Sequence, residues 1–204
     1  MTLTHFAIIA VCAYLLGSLS FAIIVSKLTL GKDIRNYGSG NAGLTNAYRT
    51  MGAKKTLLVL LGDIAKGAAA VSICMVLACT VVKLTAGIFV ILGHMFPLYF
   101  GFKGGKGVLV GAVMLAFFDW RVFGIAFLLF VLAVALTKWI SLGSILGAIS
   151  FPITTWVFYR DPVLTAMALG MAAVVVFMHR SNIGRIIHGK ENKFSFKSKK
   201  TMSD

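Results

Sequence analysis

The chain has 204 residues, 59% of them hydrophobic and 13% charged, with a mean hydropathy of +0.92. Soluble domains carry about 25% charged residues, so a water-solvated globular domain is excluded and lipid is the expected solvent. The remaining charge is 20 Lys and Arg against six Asp and Glu, a net +14, which suits anionic headgroups or a phosphorylated substrate and disfavours nucleic acid, for which an embedded chain has little surface.

The opening "MTLTHFAII" lacks a basic n-region, so no cleaved signal peptide is expected. Thr4–Val25 reads instead as a first membrane span. A spanning helix needs about 20 apolar residues, with ~17 as a lower limit. Further candidates are Leu57–Val82, Leu84–Phe100, Val108–Phe118, Val122–Thr137, Ile140–Tyr159 and Val163–Met178. Val108–Phe118 is short unless Gly104–Gly107 is wound into it, which leaves five spans as an alternative to seven. Charge placement decides. With seven spans and the N-terminus outside, the inner segments Lys27–Thr56, Gly101–Gly107, Lys138–Trp139 and His179–Asp204 hold 6, 2, 1 and 7 basic residues, 16 in all, against Lys83, Arg121 and Arg160 outside. That asymmetry obeys the positive-inside rule. The expected fold is therefore an all-α membrane protein of seven transmembrane helices, N-terminus extracytoplasmic and C-terminus cytoplasmic. Residues 1–192 form one domain and residues 193–204 a flexible basic tail. Cys12, Cys74 and Cys79 all fall in apolar runs and read as buried free thiols.

The unusual polar residues cluster on the cytoplasmic side. The first cluster is "NYGSGNAGLTN", Asn36 to Asn46, followed by Arg49. Gly38, Gly40 and Gly43 spell G-x-G-x-x-G, and Asp63 follows. The dinucleotide reading fails, because that motif needs a preceding strand and "KLTLGKDIRNY" is not one. A Walker loop fails as well, since Leu44 stands where the lysine belongs. The underlying physics survives: glycines permit φ > 0 and close backbone approach, and successive N–H groups can form an anion nest. Ser39, Asn41, Thr45 and Asn46 add donors and Arg49 adds charge, so the loop is a candidate phosphate site. Its plainer alternative is a flexible connector.

Within the second span, Asp63 and Lys66 stand at i, i+3 in "GDIAKG" and are expected to pair, which makes polar groups tolerable in lipid. Lys66 is also a candidate ligand. Next comes "GHMFPLYFGFKGGKG", Gly93 to Gly107, with Lys103 and Lys106 around Gly104 and Gly105, and His94 at membrane depth. Lysines that snorkel to the interface would explain the charges, but not paired glycines, which are costly in a helix. The last cluster is "HRSNIGRIIHGKE", where His179, Asn182 and Ile186 would share one helical face, with Arg180 and Arg185 flanking. A basic amphipathic tail on anionic headgroups is the alternative here.

"GSGNAGLTN", "GHMFPLYFGFKGGKGV" and "HRSNIGRIIHGKE" together resemble the three motifs of the bacterial membrane acyl-phosphate:glycerol-3-phosphate acyltransferases, the PlsY family. The resemblance runs from the first span to about Glu191. It implies seven transmembrane helices in the bacterial cytoplasmic (inner) membrane and an active site on the cytoplasmic side. It also implies transfer of a fatty acyl group from acyl phosphate to the sn-1 hydroxyl of glycerol 3-phosphate, giving lysophosphatidic acid and inorganic phosphate. By the same resemblance, Ser39, Gly40, Asn41, Gly43, Thr45, Asn46, Arg49, Lys103, Gly104, Gly105 and Arg185 bind substrate phosphate. His94, Lys106, His179 and Asn182 are the catalytic candidates. Before the sixth span, "SLGS" departs from the family's small hydroxyl residues, which puts Ser141 and Ser144 in question.

The residues are compatible with that chemistry. No cysteine lies in a motif, so a cysteine acyl-enzyme is excluded. No histidine is followed by an acid five positions on: His94 leads to Tyr99 and His179 to Gly184. Direct attack by the hydroxyl remains, with the proton going to His94, His179 or a phosphate oxygen. No cofactor and no metal are expected, and a monomer would suffice. The rival class, a small transporter of an anionic phosphorylated solute, would show repeats and a midplane site, and neither is visible.

Overall fold

The computed structural model describes residues 2–75, 80–195 and 202, and all regular structure in them is helical. The chain divides into two compact units at Phe117/Phe118.

In the first unit, α1 (Leu3–Gly17) and α2 (Phe21–Leu30) are separated by a break at Ser18–Ser20. A 3-10 turn, Ile34–Asn36, leads through the first glycine loop into α3 (Leu44–Met51). The long α4 (Ala53–Met75) and α5 (Thr80–Met95) follow. A second 3-10 turn, Leu98–Phe100, opens the second glycine loop before α6 (Val108–Phe118).

Helix packing here depends on absent side chains. A Cβ at Gly17 would run into the Val90 carbonyl, and one at Gly93 into the Tyr14 carbonyl, so α1 and α5 touch backbone to backbone. Gly62 likewise makes room for the Phe21 ring. Where lipid is the solvent, such small-residue seams let dispersion hold helices together, because burying more hydrocarbon gains little. Ala22, Ile23, Ile34, Ala42, Ala47, Met51 and Val59 form a core beneath the first loop, joined by Met202.

In the second unit, α7 (Trp120–Thr137), α8 (Ile140–Tyr159) and α9 (Pro162–Met178) pack in sequence, and α10 (Arg180–Ile187) follows at an angle of 61° to α9. Asp119 and Asp161 start α7 and α9 by accepting the amides of Arg121, at 2.8 Å, and of Val163 and Leu164, at 2.7 and 3.0 Å, as N-caps do. Gly143 sets α8 against α7, because a Cβ there would stand 2.8 Å from the Phe130 carbonyl.

Among the described residues, Leu3–Leu30, Thr80–Phe100, Trp120–Thr137 and Ile140–Tyr159 are long and apolar enough to cross a membrane, and the bent pair α9–α10 could be a fifth span. Val108–Phe118 stays short because Gly107 adopts φ 75° and ends any extension towards Gly104. Only 17% of the apolar window of α7 is buried, so lipid must cover the rest of it.

Three expectations change. Cys12 is free but exposed, on the outside of α1. Cys79 and the side chain of Cys74 lie outside the described residues, as do residues 76–79, where the second span was to end. Lys83 belongs to the first turn of α5, not to a turn between spans. His179 caps the end of α9 and the start of α10 at φ −97° and ψ 7°. It therefore does not continue one straight face with Asn182 and Ile186.

Candidate functional site

The first unit brings two of the three motifs together. Asp33 ends the approach from α2, and Arg35 folds back on it through Nε and Nη2, at 3.0 and 2.8 Å. The Arg35 guanidinium holds the Asp33 carboxyl below its usual value. Arg35 Nη1 then donates to the carbonyls of Phe100 and Lys103, at 2.6 and 3.0 Å. One arginine thus ties the stem of the first loop to the turn of the second. Neither Asp33 nor Arg35 stood out in the sequence reading. The signal was available: Asp33 is the one acid between Lys27 and Thr56 in a strongly basic segment.

Within the first loop the donors are divided differently from a simple nest. Gly38 and Gly40 adopt φ 60° and 72° as required. The Ser39 amide, however, donates to Asn46 Oδ1 at 2.9 Å, and the Gly40 amide to the Tyr37 carbonyl at 3.1 Å. Asn46 Nδ2 donates in turn to the carbonyls of Tyr37 and Asn41, both at 3.0 Å. Asn46 is 2% exposed, so its amide builds the loop instead of contacting solvent or ligand. Gly43 is extended at φ −128°. A Cβ there would stand 2.8 Å from Asn41 Oδ1, so that side chain would have to shift. The loop leads into the start of α3, whose first amides have no intrahelical partner. Thr45 and Arg49 stand at i, i+4 on that helix, and Ser39 and Gly40 are exposed beside it.

The second loop turns back on α5. The amides of Gly104 and Gly105 donate to the carbonyls of Met95 and His94, both at 3.1 Å, satisfying the end of the helix. Those two amides are consequently spent on the helix end, which leaves the side chains of Lys103 and Lys106 as the loop's cationic groups. Lys103 is exposed and Lys106 half-buried. Gly105 is needed for space: a Cβ would collide with His94 Nε2 and stand 2.9 Å from the Ala42 carbonyl of the first loop. The loop start is fixed to α1, where Tyr14 donates to the Phe96 carbonyl at 2.7 Å and the Leu98 amide donates to Ser18 Oγ at 3.2 Å.

Beneath both loops lies the ion pair expected at i, i+3. Lys66 Nζ is 2.8 Å from Asp63 Oδ1, with side chains 2% and 1% exposed. His94 joins it, with Nδ1 2.9 Å from Lys66 Nζ.

The second unit holds the third motif around one carboxylate. Glu191 Oε1 accepts from Ser141 Oγ at 3.0 Å and Asn182 Nδ2 at 2.8 Å, while Oε2 accepts from Arg185 Nε at 2.7 Å. Burial pushes this carboxyl up, but hydrogen bonds from Asn182, Arg185 and Ser141 outweigh burial and hold it below its ordinary value. Ser141 thus belongs with the third motif, whereas Ser144 gives its hydroxyl to the Ile140 carbonyl at 2.9 Å and takes no part. At the bend, His179 Nδ1 donates to the Val175 carbonyl at 2.8 Å. A carbonyl can only accept, so a neutral His179 carries its lone pair on Nε2. Glu191 was quoted in the motif but given no role, although it is the chain's single glutamate.

Residues 7–189 match the family model described as glycerol-3-phosphate acyltransferase. Glycerol-3-phosphate acyltransferase 2 of Bacillus anthracis is 41% identical over 183 residues, covering 90% of this chain and 96% of that protein. The glycerol-3-phosphate acyltransferase of Bacillus subtilis is 40% identical, covering 92% and 96%. The fold is similar to the crystal structure of PlsY (YgiH), an integral membrane glycerol 3-phosphate acyltransferase, in its glycerol 3-phosphate form, with a TM-score of 0.85 and 34% identity over 94% of this chain and 96% of that one. The lysophosphatidic acid form of PlsY gives a TM-score of 0.82 at 32% identity, with the same coverage of both chains.

Proposed function

The chain belongs to the glycerol-3-phosphate acyltransferase family, and from that premise we propose how it binds its substrates, transfers the acyl group and lies in the membrane. It is a bacterial integral membrane enzyme that acylates glycerol 3-phosphate to lysophosphatidic acid. The donor in our reading is acyl phosphate. The sn-1 hydroxyl attacks its carbonyl carbon, the new ester forms, and the bond to phosphate breaks, releasing inorganic phosphate. Phosphate is already a good leaving group on a mixed anhydride, so positioning and charge stabilisation suffice.

One observation carries this reading: Arg35 ties the stem of the first glycine loop, which leads into α3 with Thr45 in its first turn and Arg49 in its last, to the Phe100 and Lys103 carbonyls of the second loop. Two phosphorylated substrates need cationic groups of this kind, and no nucleophilic thiol lies in either loop. Ser39, Gly40, Asn41 and Arg185 complete the proposed phosphate contacts. Asn182 and His179 position or receive the hydroxyl proton, and the working unit is a monomer. The test is turnover by purified protein in detergent, following phosphate and lysophosphatidate together. Activity with acyl-CoA but not with acyl phosphate would overturn the donor. Intact mass after incubation with acyl phosphate alone should show no acyl adduct, and a stable adduct would refute direct transfer.

Seven crossings with the N-terminus outside and the site on the cytoplasmic face of the inner membrane complete the proposal, supported by the basic asymmetry. Reporters fused near Asp119 and near Ser198 should report opposite sides, and the same side for both would sink this topology. With one glutamate in the chain and no His/Asp/Glu cluster in the sequence, the reaction should not need a divalent ion. Activity should survive a chelator. Loss with recovery on adding Mg²⁺ would count against it.

A further inference from the structure

His94 was a candidate base in the sequence, and its surroundings assign it a different part. Lys66 Nζ donates to the carbonyls of Gly17 and Leu19, at 3.2 and 2.7 Å, and to His94 Nδ1 at 2.9 Å. An ammonium has three protons and no lone pair, so it can only donate, and Nδ1 facing it at 2.9 Å can only accept. Asp63 Oδ1, 2.8 Å from Nζ and 3.7 Å from His94 Nδ1, supplies the counter-charge. All three side chains are buried, at 2%, 1% and 5% exposure.

The consequence is a fixed tautomer. An imidazole nitrogen that accepts from an ammonium cannot carry its own proton, so a neutral His94 is protonated on Nε2. That N–H lies beside Gly105 and the Ala42 carbonyl, where the first and second loops meet. A second proton on Nδ1 would face the ammonium directly.

We propose that Asp63 and Lys66 are positioning residues for the acyl transfer, locking His94 as a permanently neutral Nε2–H donor at the seam of the two substrate loops. On this account His94 never acts as the base, and the hydroxyl proton goes to His179 or a phosphate oxygen. The proposal rests on the acyltransferase reading for its effect on rate, but not for the tautomer itself.

The groups facing His94 are few. α5 packs on α1 and α4. From α4 come Asp63 and Lys66. From α1 comes Tyr14, whose hydroxyl is held by the Phe96 carbonyl. α6 carries no titratable group, and the loop over the ring contributes Lys103 and Lys106.

The experiment labels the histidine rings with ¹⁵N in the wild-type enzyme and assigns His94 by its loss in His94→Gln. The expected spectrum shows His94 as Nε2–H with an unprotonated Nδ1, unchanged from pH 5 to 9. The Nδ1–H tautomer, or titration in that range, overturns the proposal. The paired variant Asp63→Asn/Lys66→Met removes both charges, so neither is left buried alone. In it Nδ1 loses the donor that fixes the tautomer, so the Nδ1–H form should appear in the spectrum, and kcat should fall roughly 10- to 100-fold, the scale of a misplaced positioning group. A paired variant with the wild-type tautomer and wild-type kcat also overturns it. If that variant does not fold, the wild-type spectrum still decides. An enzyme inactive with acyl phosphate would refute the donor assignment while leaving the tautomer result standing.

Discussion

Arg49→Ala and Lys106→Ala should each abolish most acyl transfer. Losing a charge-assisted contact from a partly buried site costs about 2–5 kcal/mol, a fall in rate of roughly 30- to 5,000-fold. Both residues sit at the clasped loops, Arg49 in the last turn of α3 and Lys106 beside the glycines that cap α5. Gly40→Ala should injure the same function through the backbone, because its φ of 72° is strained for any residue with a Cβ. Gly43→Ala acts differently, by displacing Asn41 from its place beside the loop. The measurement is steady-state turnover in detergent, with folding checked by melting. The tail lysines Lys197, Lys199 and Lys200, which lie outside the described residues, should matter little beyond anchoring. Dead tail variants beside fully active loop variants would mean that the site is misplaced.

The second large effect is expected on stability. Glu191→Ala removes the acceptor shared by Ser141, Asn182 and Arg185, and hydrogen bonds to a charged group contribute about 1.5–3 kcal/mol each, less when they share one carboxylate. Glu191→Gln separates the contacts. Its amide oxygen can still accept from Ser141 and Asn182, but its NH₂ group would face the Arg185 N–H, donor against donor. Glutamine should therefore retain more of the melting temperature than alanine. The folded carboxyl sits below its ordinary value of 4.5. Its stabilisation is thus present above that value and lost as pH falls through the lower folded one. Acid should lower the melting temperature of wild type in that window and affect Glu191→Gln less. Equal melting temperatures for wild type and the alanine variant would refute the hub.

Local spacing made part of this legible. Asp63 and Lys66 pair as their i, i+3 interval requires, because a helix fixes that geometry without help from the fold. Gly38 and Gly40 needed positive φ, and adopt it. Residues distant in sequence were invisible: Lys66 reaches His94 across 28 positions, and Ser141 reaches Glu191 across 50. Such contacts depend on which helices become neighbours, and a pattern of apolar runs does not encode that. The amides of Gly104 and Gly105 misled for another reason. Glycine in a loop signals close approach without saying what approaches, and here it is the end of the chain's own α5. The sequence ends the span at Met178, but the i, i+3, i+7 spacing makes His179 the first residue of the next helix face and does not show that it is the cap at a bend.

Gly17, Gly62, Gly93 and Gly143, the hydrogens on which helices meet, also govern how such a protein can drift over generations. In a water-soluble protein the bulky interior residues are the ones that lineages preserve, since a lost methylene leaves a void. Here the order reverses. Outward-facing leucines and phenylalanines sit in an oily solvent that accepts any of them, so that surface is free to follow the bilayer as a species changes its lipids. The seams have no such latitude, because one added methyl would push whole helices apart. Adaptation to a new membrane is open on the outside of this enzyme and closed at its smallest residues.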